Sequence, residues 1–332
     1  MLTDVARTSG KRASGVPDDS RPALLMAPGP EPWRLVRYAL TDWAIIVGCW
    51  IVMLGLPHPL TYVAGVLIIG GRFHALGVIL HDACHMPLRR RSPARWLTAA
   101  IAGWPIGSTI EAMRYHHLRH HRATCAHEDP YLHRWATRGF WMRRLLMFRG
   151  AFLPLLWSLR AAAAPLALCW PGLRTWYARV FLQDRSGKDL SHHPEVVRCA
   201  RMDLAQLAAH LLAAAVIIRW QLPFVPLYLV PWVIGGILNA NRVLIEHEHA
   251  QTTDRSSAAV WSRTYTHDFG WAGRLFLFPR NIGFHQAHHA CPGAALEHLP
   301  ALHRALTTPG VKSQSASRAY RAPPEAAARQ PG

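Results

Sequence analysis

Acidic side chains are scarce in this chain: 19 Asp and Glu stand against 37 Lys and Arg, a net charge of +18. Such an excess raises the question of nucleic acid, but no zinc finger or other recognised nucleic-acid motif is present. The arginines instead interleave with tryptophans and apolar runs, and a membrane protein with basic cytoplasmic faces accounts for the charge, with no nucleic-acid partner. Cysteine is sparse as well. The six thiols form no CxxC pair, so neither a disulfide framework nor a paired-cysteine zinc site is expected, only reduced, partly buried thiols. No repeat of solenoid period occurs, and the apolar patch at 23–27 is too short for a signal-peptide core.

What the chain has in quantity is apolar length. Four stretches approach the roughly 20 residues that cross a hydrocarbon core of about 30 Å: 39–56, 59–81, 204–218 and 224–244. They pair as two hairpins. The connectors at 57–58 and 219–223 hold one Lys or Arg between them, whereas 82–203 holds nineteen, the chain from Arg242 onward ten and the residues before Ala39 six. Positive residues stay cytoplasmic, so both termini and the long middle segment are expected in the cytosol. Two further apolar stretches, 96–110 and 151–170, carry Gly103, Pro105 and Gly107 or Pro154, Arg160 and Pro165, and read as interfacial or re-entrant. The fold expected is an all-α integral membrane protein of four spans. A leader over 1–32 and a tail over 309–332, both rich in Pro, Ser and Arg, are expected to be disordered around a membrane domain at 33–308 whose segments 82–203 and 245–308 form a helical cap.

Histidine carries the chemistry. His81 and His85, His117, His120 and His121, and His285, His288 and His289 form three clusters, each on one face of a helix. Eight imidazoles exceed the roughly six ligands that one transition metal takes, so a pooled cluster calls for at least two metals. Neutral imidazole suits iron, copper and zinc alike, and spacing does not choose among them. A zinc hydrolase is disfavoured, because His-Glu-x-x-His is absent. A continuous helix from Pro59 to His85 would be about 40 Å long, which carries His81 and His85 just past the cytosolic interface. The fourth span delivers His247 to the same level. His249 lies about 200° further round if that helix continues, so the two cannot face one metal. His74, two turns before His81, reads as a core histidine or a channel lining. The lone His58, His192, His193 and His303 read as solvated or hydrogen-bonded.

The motifs His81-Asp-Ala-Cys-His85, His117-Leu-Arg-His-His121 and His285-Gln-Ala-His-His289, set between paired apolar hairpins, resemble the membrane fatty-acid desaturase superfamily. Glu128-Asp129-Pro130 after the second box, Arg242 to His247 at the end of the fourth span, and Leu299-Pro-Ala-Leu-His303 near the end extend the likeness over most of the chain. The resemblance implies a non-haem centre of two iron ions that uses O2 as co-substrate. It implies as ligands His81, His85, His117, His120, His121, His285, His288 and His289, with His247 as an added one. Asp82, Glu128, Asp129 and Glu246 would then orient imidazoles from behind, or simply pair with Arg119, Arg122 or Arg242.

A fatty-acyl desaturase is the activity implied, with a hydroxylase or ketolase acting on carotenoid, sphingolipid or alkyl chain as the alternative. Trp104, Tyr265 and Trp271 are candidate contacts in the substrate tunnel or at the lipid headgroup, and His74 is a candidate tunnel lining. No His-Pro-Gly-Gly haem signature is present, so electrons are expected from a separate carrier of ferredoxin or cytochrome type, docked on the arginine-rich face. A metal transporter is disfavoured, since its ionisable groups would sit near the bilayer midplane.

Overall fold

The computed structural model describes residues 27–87 and 92–308. The expected tail, and all but the last six residues of the expected leader, lie outside them. The described residues form helices joined by turns and irregular connectors, with no strand among them and one isolated antiparallel bridge between His247 and Thr264.

The first hairpin joins α1 (Pro32–Gly55) to α2 (Pro59–Ala83). Each begins with proline in the first turn, where the missing N–H is no loss. Glu31 caps α1 by accepting from the Trp33 and Arg34 N–H groups, and His58 Nδ1 accepts from Leu60 N–H at 3.2 Å to open α2. The one acid within α1, Asp42, is buried and ion-paired with Arg72 of α2 at 3.2 Å and Arg280 at 2.5 Å. Helices α3 (Pro93–Thr98) and α4 (Ile110–Arg122) follow, separated by a π-turn over Ala99–Gly103 and a 3-10 turn over Trp104–Ile106. Next come α5 (Phe140–Phe148), α6 (Leu153–Cys169), α7 (Gly172–Phe181), α8 (Pro194–Arg219) and α9 (Val230–Glu246). The remainder holds α10 (Ser257–Arg263), α11 (Gly270–Phe276), α12 (His285–Ala290) and α13 (Leu299–Thr307).

α2 is the central helix, buried along most of its second half and flanked by α1 and α9. Small residues let it approach α9: a Cβ on Gly70 would stand 2.6 Å from Ile234 Cγ2, so the two backbones meet more closely than larger side chains allow. Trp50 Nε1 donates to the Leu227 carbonyl at 2.9 Å and Trp43 Nε1 to that of Ile101 at 2.7 Å, which anchors α1 on its neighbours. The outer faces of these helices stay apolar and exposed, as at Ile51, Leu60, Leu212 and Ile218. Such a surface suits lipid and not water.

Among the described residues five helical segments, not four, are long and apolar enough to cross a membrane. The four expected spans correspond to α1, α2, α8 and the helix over Val225–Glu246; the fifth is Phe140–Cys169, 30 residues. Three features counted against it in the sequence, and two lose their force in the fold. Pro154 occupies the first turn of α6, where it is harmless. Arg160 is wholly buried in a bidentate pair with Asp203 of α8, at 2.8 and 3.1 Å. The segment is nonetheless interrupted: a 3-10 turn over Arg149–Phe152 separates α5 from α6, with Gly150 and Gly236 in backbone contact. α5 is tied to the last turns of α9 by Asn241 Nδ2 donating to the Met147 carbonyl at 3.1 Å. The far half of α6 packs through Ala163, Ala164 and Ala167 in a core shared with Ala112 and Tyr115 of α4.

Candidate metal centre

The three boxes and His247 converge at one end of α2 and α9. Two groups of four ring nitrogens form there, each group within 4.8 Å of itself: His81, His85, His117 and His288 in the first, His120, His247, His285 and His289 in the second. His121 lies beside the first, its Nε2 at 2.9 Å from His117 Nε2 and 3.0 Å from His288 Nε2. The groups abut, with the His121 and His289 rings 4.4 Å apart.

Helical geometry explains the division. At about 100° per residue, positions i and i+4 are offset by about 40° and positions i and i+3 by about 60° the other way. An H-x-x-H-H box therefore splits into an i,i+4 pair and one histidine turned aside. On α4 the pair His117 and His121 serves the first group and His120 the second. On α12 the pair His285 and His289 serves the second group and His288 the first. The two boxes contribute in opposite sense, so neither group can form from one helix.

The nitrogens face one another with little to share. His117 and His85 approach Nε2 to Nε2 at 3.1 Å, His120 and His289 at 3.2 Å, His285 and His247 at 2.9 Å. Burial, reinforced by the neighbouring imidazoles, holds His117, His121, His247, His285, His288 and His289 well below the usual imidazole range, and His85 is pushed down to about 3 by burial and the Arg114 guanidinium. Near neutral pH these rings are uncharged and carry a free lone pair, the form that binds a metal. His81 has both ring nitrogens buried without a hydrogen-bond partner. Unpaired lone pairs converging on two foci, without anionic ligands among the eight, fit cations held by imidazole.

Of the four acids singled out in the sequence, Asp129 most directly supports a ring. It accepts from His120 Nδ1 at 2.8 Å and is itself fixed by the Cys125 and Tyr131 N–H groups, each at 2.8 Å. That bond sets the His120 tautomer and leaves Nε2 for a metal. We expect Asp129→Asn to weaken metal retention about 10- to 100-fold, read as the chelator concentration that strips half the metal. Glu246 is buried and clamped by Arg242 Nη1 at 2.8 and 3.1 Å, with its Oε2 3.7 Å from His285 Nδ1. Asp82 is buried beside His81 at the end of α2 and bonds to no histidine ring. Glu128 is a correction: it is exposed and paired with Arg255 at 2.9 Å, because the turn after α4 sends Asp129 inward and its neighbour to the surface.

The lipid-contact candidates fare unevenly. His74 is a buried core histidine, Nε2 at 3.1 Å from the Leu277 carbonyl, and Trp104 packs edge-on against Trp96. Tyr265 and Trp271 are corrected as tunnel linings, since they are exposed to 40% and 79% on the outer surface; a contact there would be with headgroups. The helix argument separating His247 from His249 also fails, because α9 ends at Glu246 and His247 is extended, at φ −129° and ψ 150°. Hydrogen bonds separate the two instead: His249 places Nε2 3.0 Å from the Leu244 carbonyl and Nδ1 3.3 Å from the His133 nitrogen. His247→Ala should therefore abolish turnover while His249→Ala keeps a substantial fraction; equal losses would show that both rings serve the centre.

Sequence reasoning missed two contacts. The Tyr131 ring stacks on His120 at 4.4 Å with its hydroxyl 2.9 Å from His116 Nδ1, and Thr124 Oγ1 stands 3.5 Å from His289 Nδ1. Tyr131 follows Asp129 by two residues, which is the only clue that the sequence offers. His116, next to the second box, turns to Tyr131, whereas His117 turns to the first group.

Compared with known proteins, the chain matches the family model described as Fatty acid desaturase over residues 57–317. A search of curated proteins finds no match.

Proposed function

Because the chain belongs to the fatty acid desaturase family, we propose that it is an O2-dependent fatty-acyl desaturase whose two histidine groups hold two iron ions. The observation that carries this reading is the pair of abutting imidazole groups, buried at the end of apolar helices. Two irons bound there would supply the oxidising power for the net reaction, in which –CH2–CH2– plus O2, two electrons and two protons gives –CH=CH– and two waters.

The chain's own residues do the rest. His81, His85, His117, His121 and His288 hold one ion, and His120, His247, His285 and His289 the other. Asp129 orients His120, and the Arg242–Glu246 pair keeps a carboxylate behind His285. Burial excludes bulk water, which protects a reactive centre from side reactions.

α1, α2, α8 and α9 cross the membrane, the stretches 96–110 and 151–170 lie in its interface or re-enter it, and both termini and the centre face the cytosol. Electrons come from a separate ferredoxin- or cytochrome-type carrier, and the substrate is a fatty-acyl lipid. Expression in a host fed labelled saturated fatty acid tests the reading: labelled monounsaturated products should accumulate in air and vanish with His120→Ala. Hydroxylated or keto products in their place would assign the chain to the oxygen-inserting members of the superfamily.

A further inference from the structure

We propose that the surface formed by Arg134, Arg138 and α5 is a binding site for anionic phospholipid headgroups at the membrane interface. No Asp or Glu occurs between Asp129 and Asp184, a stretch with eight arginines. Four of these are used within the fold. Arg160 pairs with Asp203, Arg149 Nη1 meets His133 Nδ1 at 2.7 Å, and Arg174 and Arg179 donate to backbone carbonyls. The other four, Arg134, Arg138, Arg143 and Arg144, are exposed and form no ion pair among the described residues. Arg255, Arg263 and Arg274 each face an acid, and exposed arginines without an ion pair occur elsewhere only scattered, as at Arg37, Arg122 and Arg219, whereas these four gather within an eleven-residue stretch.

Apolar side chains interleave with these four cations. Arg138 lies over the Trp135 ring at 4.0 Å and Arg144 over Phe140 at 4.9 Å. Trp141 is 81% exposed, with Leu145 and Phe148 open along the same outer face of α5. The opposite face is anchored to α9 one to two turns before its end, through Asn241 and Met147. In the topology proposed above the spans leave the hydrocarbon near that end of α9, so bulky apolar groups and unpaired guanidinium groups would meet where acyl chains give way to phosphates. An acidic soluble protein would satisfy the arginines and leave Trp141, Leu145 and Phe148 against water. A phospholipid satisfies both, because guanidinium binds phosphate through paired N–H groups and the acyl region covers the rings.

The inference rests on the proposed span arrangement and not on the reaction, so it stands or falls apart from the desaturase reading. Full-length protein would be offered equimolar phosphatidylglycerol and phosphatidylcholine, and retained lipids counted by native mass spectrometry. Each basic residue near an anionic surface is worth a factor of about five, so wild type should prefer phosphatidylglycerol at least about tenfold. The R134Q/R138Q/R143Q/R144Q variant should fall to near parity, and the corresponding all-lysine variant should keep most of the preference. If the four changes together prevent folding, the pairs R134Q/R138Q and R143Q/R144Q, measured separately, should each lose part of it. Unchanged preference in the folded glutamine variants would overturn the proposal. So would a lipid preference that survives these changes while binding of a purified acidic ferredoxin, in phosphatidylcholine nanodiscs, is lost.

Discussion

His288→Ala should remove metal from the first group and cut turnover at least about 100-fold, beyond the 10- to 100-fold typical of a lost supporting contact. His288 is the single residue that α12 gives to that group, and its Nε2 lies 3.0 Å from that of His121. Its ring also stands 4.7 Å from His81 and 4.9 Å from His85, so no other α12 side chain can take its place. The second group keeps His120, His247, His285 and His289, and the variant should still reach the membrane folded. The check is metal per chain together with product formation. A variant that keeps full activity would show that the first group is not part of the working centre.

The largest effect on stability is expected at Arg160. Its guanidinium is buried with Asp203, which also takes the Tyr177 hydroxyl and lies 3.3 Å from Thr109 Oγ1. The network joins α6, α7, α8 and the start of α4, the helix that carries the second box. Arg160→Met leaves a buried carboxylate without its cation, a loss of about 3–5 kcal/mol. That should lower the melting temperature in detergent by roughly 10 °C. Arg160→Met combined with Asp203→Leu removes both charges and should recover part of the loss. A single variant melting within about 2 °C of wild type would mean that water or another cation reaches Asp203.

Much of this was legible in the residues because it is periodic. Apolar length marked α1, α2, α8 and α9 as long apolar helices, and the three- and four-residue spacing of histidines marked three helical faces that could meet. Harder to read was whatever depends on a partner distant in sequence. Arg160 and Pro154 argued against a long apolar helix only while Asp203 and the start of α6 were out of view. The two boxes split between groups because α4 and α12 approach from different sides, a relation absent from either motif. Glu128 and Asp129 are adjacent and chemically alike, yet only the turn after α4 decides which one reaches His120. Trp271 looked like a tunnel lining by its type alone, and its short helix α11 turns it outward.

The central claim is that eight histidines from three boxes and one span end form two metal sites, with His121 beside the first. Metal analysis of the full-length protein, purified without oxygen from iron-supplied cells, tests it most directly. Two irons per chain are expected, one for each group of four nitrogens, falling to one in His288→Ala. A single iron per chain in wild type, or two that persist in both His288→Ala and His120→Ala, would contradict it.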